Sequence, residues 1–405
     1  MTSVARDQWI YDWNQSEPAS APRQVRLYDE TLRDGLQSPS VIDPPIETKI
    51  RLLHLMDQLG IHTADLGLPG AGPRAQSDVL HLVQEICSAG LKIQPNCAAR
   101  TLETDIRPVV EIAQKTGRAV EVSTFIGSSP IRQYAEDWQL ETLLKHTETA
   151  VRFAVGEGLP VMFVTEDTTR AAPATIEALY SAALACGARA VCVCDTVGHA
   201  TPAGARRVVE FVRGVVERSG TGARIDWHGH RDRGLDIANT LAAIEGGAEQ
   251  VHGTALGIGE RVGNTPMDLI LVNLKLLGWH QPELTRLREY CELAAEAVGI
   301  PIPPNYPVLG RDAFRTATGV HAAAIIKALD KRDLELADAV YSGVPAHLFG
   351  AEQRIEIGPM SGRSNVIFWL RRRGLQASPE RVERIFAAAK AADRLLRDEE
   401  ILELV

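Results

Sequence analysis

From residue 24 onward, short β-prone runs alternate with longer stretches of amphipathic, helix-favouring sequence. This alternation is typical of βα units, in which each strand of a parallel sheet is followed by a helix that covers it. The runs predict eight strands, over residues 24–28, 63–66, 91–95, 119–123, 160–164, 190–194, 224–227 and 250–253. The stretches between and after them predict helices near residues 46–60, 76–89, 102–116, 138–157, 173–187, 202–218, 234–246 and 266–279.

Eight strand and helix units over about 255 residues match the size of a (β/α)₈ TIM barrel. The main alternative, an open doubly wound sheet, would need a glycine-rich phosphate turn after its first strand. The turn at residues 29–37 instead reads D-E-T-L-R-D-G-L-Q, which is acidic and basic rather than glycine-rich. We therefore predict an α/β fold, a (β/α)₈ TIM barrel followed by a small, mainly helical accessory domain.

The repeating pattern of the barrel does not continue into the C-terminal third of the chain. Helical sequence over 283–298 and 313–329 flanks the proline-rich segment P-I-P-P-N-Y-P at 301–307, which indicates a linker. The N-terminal segment carries Trp9, Tyr11 and Trp13, an aromatic cluster that indicates docking, for example on a second subunit. We predict a tail at 1–23, a catalytic barrel at 24–282, a helical linker subdomain at 283–329 and a C-terminal accessory subdomain at 330–405.

Composition and charge exclude several classes of function. The chain has 405 residues, with 43 lysines and arginines against 52 aspartates and glutamates, a formal net charge of −9. The chain therefore lacks the excess of positive charge that is typical of proteins that bind nucleic acid or an anionic membrane. No uncharged run reaches the ~18 residues that a membrane span needs, and the N-terminus lacks the apolar region of a signal peptide. Six dispersed cysteines form neither a disulfide framework nor a C-x-x-C pair, so we expect a cytoplasmic protein.

Two of the cysteines lie close together in the sequence. Cys192 and Cys194 stand two residues apart in the apolar run A-V-C-V-C-D, so on a strand they would share one face. We interpret them as small buried residues, with metal ligation as the alternative.

The active site of a barrel lies at the carboxyl ends of the strands, where side chains of several strands converge. Strand 7 ends in W-H-G-H, and His228 and His230 project to the same side because they stand two residues apart. With a carboxylate such as Asp34 at the end of strand 1, they predict a nitrogen and oxygen site for a divalent cation of the Mg, Mn or Zn type. A structural histidine pair is the alternative, which the placement of Arg33 and Asp34 at the facing rim disfavours.

Other residues at the same rim have two interpretations each. The loop after strand 8 contains Gly257 and Gly259, which permit either contact with a phosphate or metal ligand or simply a tight turn. Asn264 in that loop offers a carbonyl oxygen to a cation. Glu166 at the end of strand 5 is either a general acid or base or a solvated charge, and Thr196 follows strand 6.

Three motifs in order carry a resemblance to a known family: L-Y-D-E-T-L-R-D-G-L-Q (27–37), H-G-H (228–230) and G-I-G-E-R-V-G-N (257–264). The chain resembles the acyl-CoA condensing and lyase enzymes built on a metal-dependent TIM barrel. These enzymes include isopropylmalate, homocitrate and citramalate synthases and hydroxymethylglutaryl-CoA lyase. The resemblance extends over residues 24–370 and includes A-T-G-V-H-A (317–322) and I-x-I-G-P-M-S-G-R-S (355–364).

The resemblance implies condensation of acetyl-CoA, as co-substrate, with a small-molecule 2-oxo acid at a divalent cation, followed by hydrolysis of the thioester. Carried over by motif, the residues that would hold the cation are Asp34, His228, His230 and Asn264. Arg33 would neutralise the 2-oxo oxygen, Thr196 would bind the carboxylate of the oxo acid, and Glu166 would lie beside the bound substrate.

The resemblance also implies a contribution from the accessory region. His321 and Tyr341 would act from there, supplied across a dimer interface, which implies a homodimer. The condensation needs a base to remove a weakly acidic methyl proton beside the thioester, and histidine suits this task because its pKa lies near neutrality.

Substrate choice within the family is less well determined. The segments F-I-G-S-S-P-I (125–131), T-E-D-T-T-R (165–170) and D-T-V-G-H-A-T-P (195–202) favour 2-isopropylmalate synthase, an enzyme of leucine biosynthesis. Because the chain ends at Val405, we expect no leucine-binding regulatory domain. Arg132 stands where homocitrate-type synthases place a basic residue for the distal carboxylate of the substrate, or it is a solvated arginine after a turn. A homocitrate-type or arylmalate synthase is the first alternative, followed by a lyase-like enzyme and a non-catalytic barrel.

Overall fold

The computed structural model describes residues 9–11, 25–280 and 282–405. Most of the tail predicted at 1–23, including Trp13 of its aromatic cluster, lies outside the described residues. So does residue 24, the first residue of the first predicted strand.

Within the described part of the chain, eight parallel strands close into a barrel in sequence order. The closure pairs the first strand with the eighth, from Arg26 opposite Gln250 to Asp29 opposite Gly253. The strands are β1 (Arg26–Asp29), β2 (Thr63–Asp65), β3 (Gln94–Arg100), β4 (Glu121–Gly127), β5 (Val161–Glu166), β6 (Ala190–Asp195), β7 (Arg224–Gly229) and β8 (Gln250–Gly253). The predicted (β/α)₈ TIM barrel is therefore confirmed.

Helices follow the strands around the outside of the barrel. They are α1 (Ile46–Gln58), α2 (Pro73–Ser88), α3 (Glu103–Thr116), α4 (Pro130–Ala135), α5 (Leu140–Gly156), α6 (Pro173–Ala185), α7 (Pro202–Ser219), α8 (Asp236–Gly246) and α9 (Met267–Leu276). Prolines at the first turn and glycines after the last turn define several ends, as in α7, where Thr201 caps the start and Gly220 adopts a left-handed conformation after the end.

The barrel strands are buried on both faces, because helices cover the outside and side chains fill the inside. In β6, for example, Val191 and Val193 belong to the layer between sheet and helices. Cys192 and Cys194 point the other way, into a small cluster inside the barrel. Strand alternation therefore places the two thiols on one inner face, as the sequence predicts.

The predicted position of strand 3 is wrong by several residues. The apolar residues Leu91 and Ile93 favour a strand over 91–95, whereas β3 begins at Gln94 and continues to Arg100. Five register pairs with β4, from Asn96 opposite Glu121 onward, hold this strand in place. Pairing with its neighbours outweighs the low β-propensity of its polar and small residues.

The chain beyond the barrel is mainly helical, as predicted. Its helices are α10 (Leu287–Val298), α11 (Gly319–Asp330), α12 (Leu334–Ala339), α13 (Arg363–Arg372), α14 (Pro379–Ala391) and α15 (Asp398–Leu402). Two short strands, β9 (Arg315–Thr316) and β10 (Arg354–Ile355), pair in parallel, and β9 explains why α11 begins later than the predicted helix at 313–329.

Packing after the barrel falls into separate clusters. Helix α10 contributes Leu287, Tyr290 and Cys291 to the same hydrophobic core as the barrel. Helices α13 and α14 form a second cluster with Trp369, and α11 belongs to a third. The domain boundaries at residues 282 and 329 stay predictions. No helix in the described part of the chain has the length and apolar character needed to cross a membrane.

Candidate active site at the carboxyl ends of the barrel strands

A cavity of about 220 Å³ opens at the carboxyl ends of the strands. This is the end of a barrel at which side chains of different strands converge. Its wall is formed by Tyr28, Glu30, Arg33, Asp34, Gln37, Asp65, Ala98, Ser123, Phe125, Met162, Val164, Glu166, Cys192, Cys194, Thr196, His228, His230, His252 and Glu260. The predicted site residues on this wall are Arg33, Asp34, Glu166, Thr196, His228 and His230. Asn264 is joined to the wall by a hydrogen bond to Asp34.

The three residues predicted as the core of a cation site meet in the structure. The Nε2 atoms of His228 and His230 lie 3.7 and 3.8 Å from Oδ2 of Asp34. All three residues are buried, and their ligand atoms lie within 4.8 Å of one another. Strand β7 carries His228, and an isolated bridge to Asn264 holds His230 just beyond its end.

One unpaired polar atom beside this point fits a cation. Asn264 Oδ1 is buried without a hydrogen-bond partner, which is costly for a polar atom. Asn264 donates from Nδ2 to Oδ2 of Asp34 at 2.6 Å, so a half-turn of its amide is needed before its oxygen faces the same point. Imidazole nitrogens with carboxylate and amide oxygens are a donor set that suits Mg, Mn or Zn.

Sequence reasoning assigned no role to Glu30, at the end of strand 1, and missed His252; both lie behind His228. Oε2 of Glu30 lies 2.7 Å from Nδ1 of His228, and its Oε1 lies 3.2 Å from Nδ1 of His252. His252 stacks on Tyr28 with ring centroids 4.1 Å apart. Alternation of polar residues at 250 and 252 in strand 8 was the available signal, since it places both side chains inside the barrel.

The charges of this network are strongly coupled. Burial alone would raise the pKa of Glu30, but His228 and His252 hold it well below its ordinary value. Burial disfavours a charge on His228, yet Glu30 raises its pKa to about 10. Burial and the charge of His228 lower the pKa of His230 to about 4. A cation would therefore displace a proton from His228 and meet His230 already neutral.

Arg33 is fixed by three carboxylates around the cavity. Its guanidinium lies 2.7 Å from Asp65, 3.1 Å from Glu30 and 3.4 Å from Asp34. Asp65, at the end of β2, is a further residue that sequence reasoning missed. Burial raises its pKa to about 6 although Arg33 is its partner. The guanidinium is held in one orientation on the cavity wall beside the proposed cation site.

Two further predicted residues, Glu166 and Thr196, also line the cavity. Burial raises the pKa of Glu166, at the end of β5. The Thr196 hydroxyl accepts a hydrogen bond from the backbone N–H of Asp167 at 2.8 Å, which leaves its own hydrogen for a ligand.

Arg132 lies outside this cavity wall. Its guanidinium pairs with Glu136 at 2.8 Å and lies over the ring of Trp138. Nε is 4.0 Å from Oε2 of Glu166. The side chain is 45% exposed, so the structure places it at the rim, with an acidic partner of its own.

The two glycines predicted to contact a ligand are also absent from the described cavity wall. A Cβ atom on Gly259 would come within 1.9 Å of Oδ1 of Asn264, and one on Gly257 within 2.8 Å of its carbonyl oxygen. Gly257 also has a φ of 68°. In this structure the glycines let the loop pass close to Asn264.

His321 and Tyr341 are not among the described residues that line the cavity of their own chain. They lie in the accessory region, where their rings stack with centroids 4.1 Å apart. His321 is exposed on α11, and Tyr341 is 49% exposed. One chain therefore brings together the predicted cation and oxo-acid residues but not the predicted base.

A family model described as HMGL-like matches residues 24–294. The chain is 33% identical over 390 residues to homocitrate synthase AksA of Methanopyrus kandleri, covering 95% of this chain and 92% of that protein. It is 31% identical to a probable 2-isopropylmalate synthase of the same organism, covering 91% of this chain and 70% of that protein. It is 30% identical to (R)-citramalate synthase CimA of Methanocaldococcus jannaschii, covering 94% and 74%.

Solved structures show similarity in fold. The HMG-CoA lyase of Bacillus subtilis aligns with a TM-score of 0.58 at 20% identity, over 70% of this chain and 96% of that chain. The carboxyl transferase domain of Rhizobium etli pyruvate carboxylase aligns with a TM-score of 0.53 at 16% identity, over 68% and 47%. The barrel fold is shared with both.

Proposed function

Because the chain belongs to the HMGL-like family, we propose that it is an acyltransferase that condenses acetyl-CoA with a 2-oxo acid. The thioester is then hydrolysed, so that a 2-alkylmalate and CoA are released. Support comes from relatives named as homocitrate, isopropylmalate and citramalate synthases, each aligned over more than nine-tenths of this chain. The convergence of Asp34, His228 and His230 at the mouth of the barrel carries the proposal.

The residues of the cavity suit the two chemical needs of this reaction. A divalent cation held by Asp34, His228, His230 and Asn264 would act as a Lewis acid toward the carbonyl group of the oxo acid. Arg33 adds a fixed positive charge where negative charge develops on the carbonyl oxygen. Thr196 donates to the carboxylate of the oxo acid, and Glu166 lies beside the bound substrate.

We propose an oxo acid with an apolar side chain, as in 2-isopropylmalate synthase. The inner wall carries Ala98, Phe125, Met162 and Val164, which suit a branched alkyl group. A second carboxylate would meet Glu166 and Glu260 on the same wall. Among the described wall residues Arg33 is the one arginine or lysine, and three carboxylates already engage it.

A homocitrate-type synthase is the second candidate. The relative named homocitrate synthase matches at 33% identity and has nearly the same length, since this chain covers 92% of it. Arg132 at the rim is the residue that would bind the distal carboxylate of a dicarboxylic oxo acid. To do so it would have to leave Glu136 and Trp138.

The catalytic base is proposed to come from a second copy of the chain. His321 and Tyr341 are exposed in the accessory region, and the apolar side chains of Val320 and Met360 beside them are 73% and 70% exposed. Helix α4, which follows the carboxyl end of β4, also exposes an apolar side chain, with Tyr134 at 86%. Association of two copies that buries both surfaces would bring each accessory face over the other copy's cavity.

A substrate panel tests the proposal. Purified protein with acetyl-CoA, Mg²⁺ or Mn²⁺ and a series of 2-oxo acids should release free CoA thiol, which a colorimetric thiol assay measures. We expect 3-methyl-2-oxobutanoate to give the highest kcat/KM and 2-oxoglutarate to be at least about tenfold worse, as charge against an acidic wall predicts. Arg132→Gln should leave this ranking unchanged.

The same panel contains the results that would contradict the proposal. Absence of thiol release with every oxo acid would exclude the synthase. A preference for 2-oxoglutarate that Arg132→Gln abolishes would establish the homocitrate-type reaction instead. Arg118→Gln is the matched control for removing a surface arginine, because Arg118 contacts Gln94 at the amino end of β3, away from the cavity.

A further inference from the structure

The floor of the cavity contains a pair of thiols for which the proposed reaction has no use. Cys192 and Cys194 are 1% and 3% exposed, and both line the cavity. Their Sγ atoms lie 3.8 Å apart. Met162 belongs to the same inner cluster, so a third sulfur atom lies in this part of the barrel. The hard donors at the mouth and the sulfur atoms of the floor thus line one space.

The distance between the two sulfur atoms matches the distance between two sulfur ligands of a tetrahedral metal ion. Two metal to sulfur bonds of about 2.3 Å at a tetrahedral angle place the sulfur atoms about 3.8 Å apart. Strand β6 holds both thiols on one face, because Cys192 and Cys194 occupy alternate positions on one strand, whose residues 190–195 are all buried. The two sulfur atoms already lie at the separation that a shared ion requires.

The chemistry of the surroundings also favours a cation. Burial raises the pKa of the Cys192 thiol well above its ordinary value, and Cys194, followed by the charges of Asp226 and Glu30, raises it further. The free thiol is therefore neutral, and electrophiles that need a thiolate react with it slowly. A soft divalent cation favours the deprotonated form instead, because it displaces the thiol protons to solvent and offsets the charge of the two thiolates.

We infer that Cys192 and Cys194 form a second cation site in the cavity floor, which binds thiophilic d¹⁰ cations such as Zn²⁺ or Cd²⁺. The ion would form two metal to sulfur bonds, release two protons and complete its coordination with water. It would occupy space beside Met162 and Val164, where the side chain of the oxo acid is proposed to lie. Thiophilic ions would therefore inhibit in competition with the oxo acid, a consequence that rests on the proposed function.

The site itself is tested without substrate, by titrating the protein with Cd²⁺. Thiolate to Cd²⁺ charge transfer absorbs in the ultraviolet, and the Asp34 and histidine site has no thiolate to produce it. The wild type should develop this absorption with one ion per chain. Cys192→Ser and Cys194→Ser should each weaken the binding that causes it by more than about tenfold, since even the loss of supporting groups around a metal has effects of that size.

Two variants distinguish the thiol pair from the exposed cysteine and from the cation site at the mouth. Cys87→Ser removes the exposed cysteine and should leave the absorption unchanged. His230→Ala should lose the cation at the mouth and keep the absorption. An absorption that survives in a folded Cys192→Ala, Cys194→Ala double variant, checked by circular dichroism, would overturn the site.

Inhibition is measured separately, with Mg²⁺ in excess and the oxo acid varied. Cd²⁺ should raise the apparent KM for the oxo acid in the wild type, with at least about tenfold less effect in Cys194→Ser. Binding to the thiol pair without any change in KM would overturn the inhibitory role. If the oxo-acid panel gives no turnover while the ultraviolet titration succeeds, the proposed function fails and the thiol site stands.

Discussion

The predicted site residues are buried at the barrel mouth but exposed on the accessory face. At the mouth, Asp34 and His228 are buried and held by Asn264 and Glu30. On the accessory face, His321 is exposed and stacks on Tyr341. A single chain thus brings Asp34 and the two histidines of its proposed cation site together, whereas its proposed base lies at an exposed surface.

This difference indicates that folding of one chain forms the proposed cation site, whereas assembly of two chains adds the proposed base. Electrostatic stabilisation requires groups that are fixed before the reaction begins, and a buried network inside one barrel provides this. An exposed histidine gains a defined environment only when another surface covers it. We therefore expect variants at the mouth to act within a subunit and variants on the accessory face to act between subunits.

The largest effect is expected at the mouth. His228→Ala should lower kcat/KM by about 10⁴-fold, because a Lewis acid contributes several kcal/mol to stabilising the transition state. Bound divalent metal, measured by elemental analysis after dialysis, should fall in parallel. His81→Ala, which removes an exposed histidine from α2, should change neither quantity. Full activity of His228→Ala after metal removal would contradict the assignment of the site.

The next effect tests whether the base comes from the other subunit. His321→Ala should lower kcat by about 10²- to 10⁴-fold, the usual contribution of a general base, and leave metal content unchanged. Mixing it with His228→Ala under conditions of subunit exchange should restore about one quarter of wild-type activity. Half of randomly assorted dimers are mixed, and each mixed dimer has one intact site of two.

The mixing experiment separates assembly from a simple role within one chain. If His321 served the cavity of its own subunit, each site in a mixed dimer would lack one component and no activity would return. Size-exclusion chromatography of both variants provides the control, since each has to form the same assembly as the wild type for the comparison to hold.

The sequence predicted the barrel because the spacing of strand and helix signals repeats eight times, and a repeated signal tolerates errors in single elements. Strand 3 shows such an error, since pairing with β4 and not local propensity decides where it lies. At the site, His228 and His230 were predictable because strand geometry fixes residues two apart on one face. Glu30 was given no role and Asp65 was missed, because closure of the barrel brings their partners, His228 and Arg33, to them. The spacing of residues along the chain does not reveal those contacts.

The smallest effect is expected from a comparison of two histidine–glutamate pairs that have the same distance between the interacting nitrogen and oxygen atoms. Glu30 lies 2.7 Å from His228 inside the barrel, and Glu85 lies 2.7 Å from His54 on the outside, where both side chains are partly exposed. Glu30→Gln should weaken divalent metal binding by about 10- to 100-fold, the usual cost of losing the group that orients a metal-bound histidine. Glu85→Gln should leave metal affinity unchanged and lower the free energy of unfolding by no more than about 1 kcal/mol. Isothermal titration with Mn²⁺ and denaturant unfolding measure both quantities, and equal metal affinity in the two variants would show that Glu30 serves the fold alone. The distances being the same, a difference between the two variants arises from burial, from the metal that His228 is proposed to bind, and from the further contacts of Glu30 with Arg33 and His252.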